Sequence, residues 1–184
     1  MKILGISCSP RKGGNTEVLL RAALETAQAE GADIEFYSVS GKHIRFCDGC
    51  YVCRRNGECH IKDDDMAELF EKMLVADGIL FGSPVYFWDV TGQAKTIIDR
   101  TFAVSAQRNF KNKAAGAIVA AGRNGTSTTI STLYSFFTGH RMIVIGNAIG
   151  YGNDKGSVKD DAPAMANATG LAKAMVRFLK TGKM

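Results

Sequence analysis

The chain reads as an α/β three-layer sandwich built on a parallel sheet. Apolar runs of strand length alternate with helical periods five times along its 184 residues. The runs are continuous rather than alternating, as expected for strands covered on both faces. Several of them empty into Gly- or Ser-bearing loops that open a helix. No repeat, low-complexity tract or linker divides the sequence, and its length suits one full-sized core, so residues 1–184 are expected to form a single domain.

KILGIS, residues 2–7, is the first strand and ends in the turn cluster SPRKGGN. Val18, Leu19, Ala22, Ala23 and Ala27 share one face of a helix predicted from Thr16 to about Glu30, with Asn15 as its N-cap and Gly31 as its stop. DIEFYSV, residues 33–39, is the second strand. A loop of about 24 residues follows, longer than an ordinary connection, which itself points to function. Asp63, Asp64 and Asp65 are expected to cap the next helix, which turns Met66, Leu69, Phe70, Met73 and Leu74 inward. DGILFGSP, residues 77–84, is the third strand. A helix from Thr91 to about Phe102 is predicted to bury Ile97, Ile98 and Phe102. KAAGAIVAA, residues 113–121, is a strand buried on both faces, and GRNGTSTT leads from it into a helix over about 126–138. MIVIGNAI, residues 142–149, is the fifth strand. After YGNDKGSVKDD comes a last helix from about Pro163 to Lys180, with Met165, Leu171, Met175 and Leu179 inward.

Composition narrows the function classes. Hydrophobic content of 46% and charged content of 22% are ordinary for a folded soluble protein. No run approaches the roughly 18 apolar residues of a membrane span. The start MKILGISCSP has neither a signal h-region nor a cleavage site, so a cytoplasmic, reducing location is expected, which argues against a disulfide scaffold. The net charge of +5 is spread along the chain without a basic stripe. Nucleic acid is therefore not the expected partner, and an anionic cofactor with an acidic protein partner accounts for the charge as well.

Three loops carry the first functional signal. SCSPRKGGNT, residues 7–16, joins a strand to a helix N-terminus, where backbone N–H groups, hydroxyls and a cation make an anion site. Ser9, Arg11, Asn15 and Thr16 supply such groups. The stretch is neither G-x-G-x-x-G nor a Walker loop. GSPVYFWDVTGQAK, residues 82–95, sets Tyr86, Phe87 and Trp88 in a row where a loop should face solvent, as a large planar ligand would require. AAGRNGTST, residues 120–128, is Gly-rich and permits close backbone approach. All three loops follow strands and so share the carboxyl rim. In a doubly wound sheet of order 2-1-3-4-5 the crevice opens between strands one and three.

These three stretches, in this order over nearly the whole chain, resemble the flavodoxin-like NADPH-dependent FMN reductase superfamily. The resemblance implies a flavodoxin-like α/β/α sandwich, a five-stranded parallel sheet of order 2-1-3-4-5, and bound FMN. By position, Ser9, Arg11, Asn15 and Thr16 would hold its phosphate. Pro84, Val85, Tyr86, Phe87 and Trp88 would line the ribityl chain and ring, and Ala121, Gly122 and Arg123 would approach the ring from the other side.

The long loop holds a second signal. CDGCYVCRRNGEC places Cys47, Cys50, Cys53 and Cys59 in a C-x2-C-x2-C-x5-C run. Three cysteines two apart can wrap one iron–sulfur cluster, and with no second set in the chain the fourth would close the same site. Gly49 and Gly57 let the loop turn tightly. Zinc is the next candidate, although structural zinc sites usually space two knuckles farther apart. Free thiols or disulfides are the remaining readings. The combined pattern resembles the iron–sulfur flavoproteins of anaerobic archaea and bacteria. That resemblance implies a [4Fe–4S] cluster on the four cysteines, FMN on the rim, a ferredoxin-type electron donor, and a homodimer or dimer of dimers. The final acceptor would be a small molecule such as a quinone, dioxygen or peroxide. Because the cysteine loop follows strand two, it is expected on the same rim as the flavin loops, close enough to exchange electrons. The competing function is an NAD(P)H-dependent FMN or quinone reductase whose cysteine loop carries no cluster.

Arg54 and Arg55, beside the loop, are placed to steer an acidic ferredoxin. Cys8 is expected to be a small buried hydrophobe. His43, His60 and His140 are expected to face solvent, and Asp99 to pair along its helix. No Ser-His-Asp order or paired carboxylates are present, so the cofactors would carry the chemistry.

Overall fold

The structure, a computed structural model, describes residues 1–183. Along the chain run β1 (Lys2–Ser7), α1 (Asn15–Ala29), β2 (Asp33–Ser38), α2 (Val52–Asn56), α3 (Met66–Val75), β3 (Gly78–Pro84), α4 (Gly92–Arg100), α5 (Phe102–Ser105), β4 (Ala114–Ala121), α6 (Thr126–Gly139), β5 (Ile143–Tyr151) and α7 (Ala162–Thr181). A 3-10 turn, Ser157–Asp160, precedes α7. The five strands form one sheet of order β2-β1-β3-β4-β5, and every pair is parallel. This is the flavodoxin-like three-layer arrangement expected from the sequence.

Strand period two divides the core between the sheet faces. Ile79, Phe81, Ala115, Ala117 and Val119 meet α3, α4 and α6 on one side through Met66, Leu69, Met73, Ile97, Leu133 and Phe137. Leu80, Ala114, Ile118 and Ala120 meet α1 and α7 on the other through Leu19, Leu20, Ala23, Leu171 and Met175. The central strands β3 and β4 are almost wholly buried, whereas the edge strands β2 and β5 are largely half-exposed.

Several local expectations are corrected. Gly14, not Asn15, caps α1. The Asn15 amide instead donates to the Gly152 carbonyl at 2.8 Å and accepts from Val158 N–H at 3.2 Å. Leu20 and Leu24 are buried in α1, while Val18 and Ala22 sit half-buried at the margin of its face. Asp65 stands at the N-cap of α3 but makes no capping hydrogen bond. Its carboxylate accepts from His43 N–H at 2.6 Å, so the acidic triplet serves the long loop more than the helix. Leu74 is exposed. The helix expected over 91–102 ends at Arg100, because Thr101 closes the turn with a hydroxyl bond of 2.6 Å to the Ile98 carbonyl. Phe102 then starts α5 facing outward, with its ring edge-on to Tyr51 at 6.0 Å. Cys8 is fully buried as expected, and burial pushes its thiol pKa well up. Asp99 pairs with Lys95 at 2.6 Å along α4. No helix among the described residues is long and apolar enough to cross a membrane.

Candidate functional site

Parallel strands bring the loops after β1, β3, β4 and β5 to one rim, where they enclose a cavity of about 210 Å³. Ser9, Arg11, Asn15 and Thr16 line it from the first loop, Pro84, Val85 and Tyr86 from the third, and Ala121 and Gly122 from the fourth. Phe87, Trp88 and Arg123 do not line it. Phe87 is 98% exposed, Trp88 is exposed beside it, and Arg123 faces solvent. The loop after β5 was missed. Gly152, Asn153, Asp154 and Lys155 close the cavity from the side of β4. No motif marks them, and the only signal was that they too follow a strand.

The cavity floor suits an anion. α1 begins there, and the first N–H groups of a helix have no partner within it. Glu17, the acid in this first turn, is held away from the space: it accepts from Gly13 N–H at 2.7 Å and from Arg21 at 2.9 Å. Burial works to raise the Glu17 pKa, but these bonds outweigh it and hold the carboxyl below its usual range. The Thr16 hydroxyl is buried without any partner among the described residues. A buried hydroxyl lacking a partner costs about 1–3 kcal/mol, so an oxygen-bearing ligand that satisfies it is favoured there. The donor set and this orphaned hydroxyl fit a phosphate, as the phosphorylated end of FMN requires.

The aromatic loop is strained. Tyr86 and Asp89 exchange backbone bonds of 2.8 and 3.1 Å, and between them Phe87 and Trp88 hold φ values of 41° and 71°. This is the turn geometry that favours Asn-Gly, occupied here by two bulky residues. Such conformations cost on the order of 1–3 kcal/mol each and collect at ligand sites. The turn is backed by the start of α6. The Thr128 hydroxyl donates to the Trp88 carbonyl, and Gly125, at φ 90°, lies so close that a Cβ there would stand 2.6 Å from Val85 and 3.0 Å from the Trp88 Cα.

A second, larger cavity of about 620 Å³ collects all four cysteines of the run. α2 carries Cys53. Left-handed turns at Gly49, Tyr51 and Gly57 coil the loop, with φ of 68°, 57° and 78°. Cys47 and Cys50 are exposed, Cys53 and Cys59 half-buried, and all are free thiols. Ile61, Ile98, Phe102 and Phe136 supply apolar wall. Four soft thiol donors lining one partly apolar space fit an iron–sulfur cluster chemically. The ligand atoms of Asp48, Cys50 and His60 lie within 4.8 Å of one another. His60 is exposed as expected, with its Nε2 2.7 Å from an Asp48 carboxylate oxygen. His140, by contrast, departs from expectation. It is half-buried in the cavity wall and paired through Nε2 with the Thr101 hydroxyl at 2.9 Å, and burial lowers its pKa.

The loop is anchored by an ion pair the sequence did not disclose. The Arg100 and Asp64 side chains are 1% and 0% exposed. Arg100 Nη1 donates to Asp64 at 2.5 Å and to the Arg45 carbonyl at 2.9 Å; Nη2 donates to Asp64 at 3.2 Å and to the Ile61 carbonyl at 3.1 Å. Arg45 and Ile61 flank the cysteine loop, so one guanidinium clamps both of its ends. Burial raises the Asp64 pKa, but the bonds from Arg100 and from Arg45 N–H overcome this and hold it below the usual carboxylate range.

The two cavities do not meet on one rim, which corrects the sequence expectation. The cysteine loop leaves β2 at the rim, but its cavity is walled by Arg100 and Phe102 around the end of α4 and by Gly139 and His140 at the end of α6. Both helices start at the rim and run back toward the opposite edge of the sheet. The sites are therefore separated along α6, whose 14 residues extend about 20 Å at the standard rise.

Comparison with known proteins places this architecture. The model of the family described as NADPH-dependent FMN reductase matches residues 1–155. An iron–sulfur flavoprotein of Methanocaldococcus jannaschii is 40% identical over 98% of this chain and 98% of its own length. One of Methanosarcina thermophila is 37% identical over 98% of this chain and 96% of its own. Among solved structures, a flavone reductase superposes with a TM-score of 0.78 at 23% identity, covering 98% of this chain and 64% of that longer protein. A flavodoxin from the domain Archaea gives 0.65 at 14% identity over 98% and 99% of the two chains, which supports the fold alone. Fold and family together define a flavin-dependent oxidoreductase. The chain belongs to the NADPH-dependent FMN reductase family and, within it, to the iron–sulfur flavoproteins.

Proposed function

We propose that this chain is a cytoplasmic electron-transfer flavoprotein that accepts electrons from a ferredoxin-type donor at a [4Fe–4S] site and delivers them at an FMN site to a small acceptor such as a quinone, dioxygen or peroxide. The observation that carries the proposal is the convergence of Cys47, Cys50, Cys53 and Cys59 on one cavity in a chain that also builds an anion-binding rim. When bound, the cluster would supply one-electron transfer and FMN the coupling to two-electron reduction.

The chain's own residues divide the remaining work. Ser9, Arg11, Thr16 and the start of α1 would bind the phosphate, with Lys155 as a second cation at the rim. Asn15 acts indirectly by tying the loop after β5 over the cavity. Pro84, Val85, Tyr86, Ala121 and Gly122 would line the ribityl chain and ring, and Phe87, Trp88 and Arg123 would border the outer face where the acceptor enters. The four cysteines would hold the cluster.

The separation of the two sites gives the expected homodimer, or dimer of dimers, a purpose. Exposed aromatics stand at both places: Tyr51 and Phe102 by the cysteine cavity, Phe87 and Trp88 by the rim. A second copy covering them would bring one chain's cysteine loop toward the other chain's rim.

The activity in the family's name supports one competing reading, an NAD(P)H-dependent FMN or quinone reductase. Anaerobic stopped-flow reduction separates the two. Reduced ferredoxin should bleach the flavin of the wild type quickly and that of a Cys59→Ser variant slowly. Rapid bleaching by NADPH in both proteins, with no response to ferredoxin, would favour the competing reading.

A further inference from the structure

Arg100 is built to do more than clamp a loop. A guanidinium carries five N–H donors. Four are engaged by the two carboxylate oxygens of Asp64 and the carbonyls of Arg45 and Ile61. The fifth, on Nε, is buried and finds no acceptor among the described residues. An unmet buried donor on a charged group is costly, and more so when the rest of the group is held rigidly. Arg100 and Cys59 line the same cavity. Nη2 holds the carbonyl of Ile61, a near neighbour of Cys59 in the chain.

We infer that Arg100 is a positioning residue for the cluster, its Nε–H being the donor that holds the Cys59 sulfur in place and tunes the site's reduction potential. This rests on the cluster reading of the Cys47–Cys59 run. Cys59 is the outlying ligand, six residues beyond Cys53, and needs a fixed orientation that the tight loop around the first three cysteines does not give it. The guanidinium is held on its Nη edge by four bonds, so its remaining donor has a set direction. Donors to ligand sulfurs stabilise the more negative, reduced state of a cluster and raise its potential.

The test uses anaerobically prepared protein labelled with 15Nε-arginine, read by electron–nuclear double resonance on the reduced cluster, beside iron and sulfide analysis of the same sample. The wild type should show a weak 15N coupling and an exchangeable proton coupling. Arg100→Lys, which keeps the cation beside Asp64, should lose both and titrate at a more negative potential while retaining iron. If Arg100→Lys fails to hold iron, the labelled wild-type spectrum decides alone. An intact wild-type cluster without 15N coupling, or an Arg100→Lys cluster with wild-type potential and spectrum, overturns this inference and leaves the cluster reading standing. A wild type without iron and sulfide overturns both.

Discussion

Single side chains here separate folding from binding. The Thr16 hydroxyl is buried with no partner among the described residues, so it adds no hydrogen bond to the fold and is available to a ligand. Thr16→Val keeps the shape and removes the hydroxyl. Its thermal midpoint without flavin should equal or exceed that of the wild type, while FMN affinity falls about 10- to 100-fold, the value of a hydrogen bond to a charged group. Calorimetric titration of the apoprotein with FMN measures this. Asp64 makes the opposite case. Its depressed pKa means that the folded state favours the carboxylate. That stability is present above the unfolded-state pKa of about 3.9 and is lost as pH falls through the lower folded value. Asp64→Asn should cost about 3–5 kcal/mol at pH 7, because it strands a buried guanidinium. Urea unfolding should show the gap narrowing as pH falls below about 3.9, by at most about 1.4 kcal/mol per pH unit, and a gap independent of pH would contradict the ion-pair account. Neither role was legible in the sequence. Thr16 was visible as a phosphate-loop residue, but its lack of a protein partner was not. Asp64 looked like a helix cap because its partner lies 36 residues away.

At the scale of elements, the turn from Tyr86 to Asp89 holds strain against function. Phe87 and Trp88 occupy left-handed conformations that Asn-Gly would adopt freely. Replacing them by Phe87→Asn with Trp88→Gly should stabilise the apoprotein by roughly 1–2 kcal/mol while slowing acceptor turnover. Denaturant midpoints and steady-state rates on one preparation would show whether the two effects move in opposite directions. The strand–helix order was legible because buried parallel strands leave continuous apolar runs and each helix keeps its period. The break at Thr101 and the outward turn of Phe102 were not, since both depend on a hydroxyl bond and on a loop that supplies Tyr51 as a neighbour. Asn15 was misread as a cap for a similar reason. An Asn before a helix suits capping, but this one is drawn away by a loop 137 residues further on.

Across the whole molecule, parallel topology made the rim readable: every loop that follows a strand must emerge there. That rule placed nine of the twelve expected cofactor residues around one cavity and would have added Gly152–Lys155 had it been applied to β5. It failed for the cysteine loop, which is long enough to leave the rim and settle against the far ends of α4 and α6. The exposed Arg54 and Arg55 accompany that loop. Reversing both, Arg54→Glu with Arg55→Glu, should slow ferredoxin-driven reduction about tenfold or more at low salt and flatten its salt dependence, while reduction by dithionite stays unchanged. The account as a whole depends on what the four thiols hold. Iron, sulfide and FMN should be measured on one anaerobically purified sample, with thiol titration alongside. About four iron and four sulfide with one FMN per chain, the stoichiometry of a single [4Fe–4S] site, is the predicted result. FMN without iron, and with Cys47, Cys50, Cys53 and Cys59 all titrating as free thiols, would contradict it.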